Sequence, residues 1–189
     1  MTLRSYLLFI PLALGLSAQA WADTNAEKIR FVRGLYTEQA RHYDRNTGHE
    51  VGQYKDAVEK YADTQLAAAY KQARDYDRRL ERVQPHSWEI HCLGGGSYMF
   101  GGAEEPELNI RRDYSVMTDG RVKVKFNLTH FLESKTVTVY YTLRRHGRSF
   151  RVVDMEIKFP TQDRVWHTPS YRDELNRCVR NLRREFRLG

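Results

Sequence analysis

The spacing of apolar residues changes near Pro85, and that change restricts the chain to folds that combine helices with an antiparallel sheet. Before it, Ile29, Val32, Tyr36, Ala40 and Tyr43 recur at helical intervals. Thr24 and Glu27 have the hydroxyl and carboxylate of a capping box, which places a helix start there. Asn46-Thr47-Gly48 carries the stop signal. Tyr54, Val58 and Tyr61 predict a short second helix. Asp63 or Thr64 caps a third, with Leu66, Tyr70, Ala73 and Leu80 as its inner stripe.

After Pro85 the period is two. Trp88, Ile90 and Cys92 alternate with Glu89 and His91, which predicts a strand. Ile110, Arg112, Tyr114 and Val116 lead into Thr118-Asp119-Gly120, a hairpin signal because such a turn needs positive φ. The return strand sends Val122, Val124, Phe126 and Leu128 inward, and Arg121, Lys123, Lys125 and Asn127 outward. Val137, Val139, Tyr141 and Leu143 repeat the pattern, and His146-Gly147 turns the chain. Within Phe150–Ile157 the apolar side moves from Phe150 and Val152 to Val153, Met155 and Ile157, which predicts a bulge or strong bend. Ser170 opens a last helix over 170–188. Tyr171, Leu175, Cys178, Val179, Leu182 and Phe186 form its inner stripe.

The first 22 residues read as a secretory signal peptide. Arg4 is their only charge, Leu7–Leu16 is unbroken apolar sequence, and Ala18, Ala20 and Ala22 supply small residues for cleavage. Ten apolar residues are too few to span a bilayer, so no transmembrane anchor is expected. The remainder, 23–189, is one α+β domain with its core in 26–159, since 189 residues without repeats or linkers leave little room for two. Export to the periplasm allows Cys92 and Cys178 to form a disulfide. Two buried thiols are the other reading, because both cysteines occupy inward positions. Neither has the neighbouring base of a catalytic cysteine.

Seven histidines lie scattered, and none forms a metal-ligand pair at helical spacing. The best set, His86, His91 and Cys92, loses its thiolate on oxidation, so neither metal nor other cofactor is expected. Leu93–Ser97 and Gly101-Gly102 flank Tyr98, Met99 and Phe100, without the lysine and hydroxyl of a phosphate cradle. The segment reads as a loop or as an apolar tip offered to a partner. An acid–base site could draw on Asp113, Tyr114, Tyr141 and Asp154. Yet Asp113 and Tyr114 point to opposite faces and Asp154 is out of phase with the core, so no catalytic residue is expected.

The remaining signal is arginine. From Ser170 onward the charge is +3, half the +6 of residues 23–189. Part of this complements the helix dipole. The rest, centred on Arg177, Arg180 and Arg184, suits a partner with an acidic surface. Nucleic acid is not that partner, because the arginines are not interleaved with aromatic residues.

Three stretches together resemble the nuclear-transport-factor-2-like superfamily, in its exported bacterial branch: Ile29–Tyr36, Tyr61–Tyr70, and the strand pair Thr136–Leu143 with Ser149–Met155. The resemblance implies a cystatin-like cone, with N-terminal helices packed on a strongly curved antiparallel sheet and the C-terminal helix as an addition. It also implies a cavity lined by Tyr114 and Tyr141, and an outer sheet face used for homodimers or protein binding. The expected function is that of an exported, non-catalytic binding protein, concretely an immunity-type inhibitor that neutralises a toxin in the periplasm. The alternatives are a small-molecule binder or isomerase-like enzyme using the cone, and an envelope-maintenance factor.

Overall fold

The computed structural model describes residues 10–43, 56–85, 90–93, 99, 109–128, 135–160 and 165–186, with side chains from Thr24 onward. Three helices come first: α1 (Ile10–Ala40), α2 (Ala57–Lys60) and α3 (Thr64–Val83). Five strands follow, β1 (Asp113–Val116), β2 (Val122–Leu128), β3 (Lys135–His146), β4 (Ser149–Pro160) and β5 (Val165–Thr168), and α4 (Tyr171–Phe186) closes the chain. The strands pair antiparallel in chain order as an open five-stranded sheet. The architecture is α+β.

Each element has a local cause. Asp56 caps α2 through Oδ1, which accepts from the Val58 and Glu59 amides at 2.7 and 3.3 Å. Asp63 caps α3 in the same way, accepting from Gln65 and Leu66 at 3.1 and 3.0 Å. The first hairpin turns at Gly120 with φ of 81°, where a side chain would be strained. In β2, Val122, Val124, Phe126 and Leu128 are all buried, as the alternation predicts.

The bulge also forms. Thr142 pairs with Asp154 and Leu143 with Val152, so Val153 is the extra residue. Phe150 and Val152 are buried before it, and Met155 and Ile157 after it. Because β5 covers only Ile157–Pro160, the first half of β4 has an open edge. The α2–α3 junction covers it: Val152 donates to the Tyr61 carbonyl at 2.9 Å and accepts from the Asp63 amide at 2.8 Å.

Several expectations are corrected. The α1 backbone is already helical upstream of Thr24, so Thr24 does not begin the helix. The helix also ends at Ala40, before the Asn46–Gly48 signal. Arg41, His42 and Tyr43 donate three residues back, to Glu38, Gln39 and Ala40, which tightens the last turn and ends the helix. Ile90–Leu93 is a turn and not a strand, because both oxygens of Asp77 on α3 take amides there, Cys92 at 2.7 Å and Leu93 at 3.0 Å. Strand β5 had no counterpart in the sequence reading.

Candidate functional site

The arginines of α4 belong to a surface that spans two helices. Tyr171, Leu175, Val179 and Leu182 are buried and fix the roll of α4, so Arg177, Arg180 and Arg184 face solvent. At about 100° per residue, Arg177, Arg184, Arg180 and Arg183 follow one another over roughly 120° of the helix circumference. Arg183 is the innermost of these. It lies over the Tyr76 ring at 4.9 Å and donates to the Tyr76 hydroxyl. Arg79 of α3 lies over the same ring at 5.1 Å. Tyr76 thus joins the arginines of α4 to those of α3, where Asp75, Arg78, Arg79 and Arg82 line a shallow depression of about 590 Å³. Arg177 pairs with Glu174, and Arg78 with Asp75 at 2.5 Å. Arg180 and Arg184 make no ion pair among the described residues.

A covalent bolt holds this surface. Cys92 and Cys178 form a disulfide across a sequence separation of 86, tying the turn after α3 to the middle of α4. The Asp77 carboxylate holds the Cys92 end through the two amide bonds described above. Burial pushes the Asp77 carboxyl above its ordinary value, against the lowering effect of those amides. At the start of α4, Asp154 Oδ2 accepts from the Ser170 hydroxyl at 2.5 Å and Oδ1 from the Arg172 amide at 3.0 Å. Asp154 therefore anchors the start of α4, and Asp113 is exposed beside Arg111.

The predicted cavity residues, Tyr114 and Tyr141, both pack against Tyr36. Tyr141 is fully buried, and its hydroxyl donates to Tyr36 at 3.1 Å. The Tyr36 ring packs edge-on against Tyr141, Phe126 and Tyr114. These side chains fill the interior at that point. Tyr114 is half-buried and lines a groove between α1 and β1 instead. Met99, expected at an exposed tip, is 1% exposed and belongs to the core, so it is not presented to a partner. Tyr98 and Phe100 lie outside the described residues, as do the side chains of the expected cleavage region around Ala18–Ala22.

Two carboxylates that the sequence does not single out as core positions help hold the helices, Asp77 buried and Asp56 half-buried. Asp56 Oδ2 accepts from the Tyr70 hydroxyl at 3.2 Å, and Tyr70 packs edge-on against Tyr171 at 5.6 Å. Burial raises the Asp56 carboxyl above its ordinary value, despite the bonds from Val58, Glu59 and Tyr70. Two signals could have found these groups. Asp56-Ala57-Val58-Glu59 is itself a capping pattern, and Asp77 falls on the apolar stripe between Ala73 and Leu80.

The outward sheet face is polar. Glu156 accepts from Arg121 at 2.5 Å and contacts His167 at 2.9 Å and Lys158 at 3.1 Å. Burial alone would raise its carboxyl, but those three partners outweigh it and hold the group below its usual range. Arg121 and Lys158 also lie over the Tyr140 ring at 5.0 and 5.3 Å. No metal-binding group of three or more ligands occurs among the described residues, and no helix there is long and apolar enough to cross a membrane. No family model, curated protein or solved structure matches the chain.

Proposed function

We propose that this is an exported, non-catalytic binding protein that uses the arginine surface of α3 and α4 to take an acidic protein partner. In its most concrete form it is an immunity-type inhibitor that neutralises a toxin acting in the periplasm. The observation that supports this reading is the pairing of a rigid mount with exposed charge. A helix bolted by a disulfide carries Arg180 and Arg184, which make no ion pair among the described residues, beside further arginines on α3. Arginines on a fixed helix need no rearrangement of the backbone on binding, so less of their attraction is offset by ordering of the chain. The disulfide itself fits an oxidising compartment. A second copy of the chain is a poorer partner, because the outward sheet face carries Arg121, Lys123, Lys125 and Lys158 against Asp113 and Glu156. The interior filled by Tyr36 and Tyr141 lends no support to an isomerase-like cone.

The test is capture from periplasmic extract on the immobilised protein, compared with an Arg180→Glu/Arg184→Glu variant. The expected result is a stoichiometric acidic protein that the variant loses, together with loss of protection against that protein's toxicity in cells. Equal capture by both proteins, or capture without any protection, overturns the proposal. The second outcome would favour an envelope-maintenance role.

A further inference from the structure

A groove of about 520 Å³ runs between α1 and the turn that joins β3 to β4. That volume falls in the range of small-molecule sites. Its floor is apolar: Leu35 and Phe150 are buried, and Phe31 and Tyr61 are half-buried. The three rings are set around Phe31, which meets Tyr61 edge-on at 5.7 Å and Phe150 at 5.8 Å with a tilt of 54°. A further ring entering the groove would extend a cluster that already has the favoured aromatic geometry.

Gly34 marks the slot for it. This residue lies inside α1 on the groove wall, and a Cβ built there meets no atom of the described residues within 4 Å. Neither close packing nor a positive φ calls for glycine at this position. An exposed glycine inside a helix is also less stable than alanine. What it does provide is clearance for a group that approaches the helix backbone from outside.

Charge sets the other end of the ligand. Two carboxylates line the groove, and each is bonded to a cation that lies over a ring of the floor. Arg145 holds Glu27 at 2.5 Å and sits 5.3 Å from the Phe150 ring centre. Lys60 holds Glu38 at 2.5 Å and sits 5.2 Å from that of Tyr61. The rim adds Arg30, Arg41 and Arg148, all exposed. The surroundings of the apolar floor are therefore positive on balance.

From the clear slot, the ringed floor and the positive rim we infer a binding site for a small aromatic carboxylate. Its ring lies against Phe31, Tyr61 and Phe150 beside Gly34, and its carboxylate meets the arginine rim. The site shares no residue with the arginine surface of α3 and α4, so either can fail without the other.

The experiment titrates the purified protein with 3-phenylpropionate and, separately, with the neutral 3-phenylpropionamide. It follows the backbone NMR signals of residues 30–38 at constant ionic strength set with chloride. Saturable shifts are expected with the acid, and binding about tenfold weaker with the amide. Arg148→Gln, in an exposed turn, should bring the acid down to the affinity of the amide, whereas Arg184→Gln should leave it unchanged. Gly34→Ala and Gly34→Leu should each raise the thermal unfolding midpoint, because both residues favour a helix, and the leucine should abolish saturable binding. That opposition distinguishes a ligand slot from a merely structural glycine. Shifts that never saturate with the acid, equal affinity for acid and amide, or full binding by Gly34→Leu overturn the assignment.

Discussion

The α3–α4 pair and the α1–β1 edge both place guanidiniums over tyrosine rings, yet they are fastened differently. Between α3 and α4, Tyr76 carries Arg79 and Arg183, but the alignment of the helices rests on the Cys92–Cys178 bond and on the amides held by Asp77. At the α1–β1 edge no covalent link exists among the described residues. Alignment there rests on the interlocked Arg33, Tyr114, Tyr36 and Arg112, the Tyr36–Tyr141 hydroxyl pair, and Lys28 donating to the Gly120 carbonyl at 2.9 Å. A surface bolted from behind can present its arginines outward. A groove whose arginines are part of the fastening ties the placement of those arginines to the stability of that edge.

The largest effect should come from removing the bolt. Replacing both cysteines, Cys92→Ser and Cys178→Ser, should cost roughly 2–5 kcal/mol in urea unfolding, because a long loop is no longer closed in the unfolded chain. The backbone signals of residues 110–114 should stay in place at low urea. Equal unfolding midpoints with and without the bond would erase the distinction between the two regions.

A smaller loss should follow from Gln39→Leu. Gln39 is fully buried on α1, and its Oε1 accepts from the Ala57 amide at 2.7 Å. Leucine leaves that amide buried without an acceptor, for about 1–3 kcal/mol. Thermal unfolding checks this, and an unchanged midpoint would mean that α1 is held by its ring contacts alone.

The smallest effect is one of pH. Burial raises the Asp56 carboxyl above 3.8 in the folded protein, so the folded state keeps that proton to higher pH than the unfolded chain does. The stability this provides is complete below the unfolded value and is lost as pH rises through the folded one. Asparagine can still cap α2 but has no proton to lose. The midpoint of Asp56→Asn relative to the unaltered protein should therefore climb as pH rises above the ordinary carboxyl value near 3.8. A flat difference would place Asp56 in contact with solvent.

Much of the fold was legible where a single element carries its own signal. The β2 alternation, the phase change in β4, the Asp63 cap and the inner stripe of α4 all depend on side chains a few residues apart. What was not legible depends on distant partners. The Ile90–Leu93 turn looks like a strand until Asp77 captures its amides, and Met99 looks exposed between glycines until the core closes over it. Strand β5 has four residues, too few to establish a period. The candidate site divides in the same way. Arg177, Arg180 and Arg184 could be read from one helix, whereas the contribution of Arg79 exists only because Tyr76 brings α3 against Arg183.

The extra residue in β4 makes one strand serve two masters. Ahead of Val153 the strand docks α1 and the α2–α3 junction, through Phe150 against Phe31 and through the backbone of Val152. Beyond it, Asp154 is turned out of the core phase and grips the first residues of α4. Val153 therefore acts as a spacer whose presence matters more than its chemistry. Exchanging its side chain should be tolerated, whereas deleting it would set the two ends of the molecule out of step.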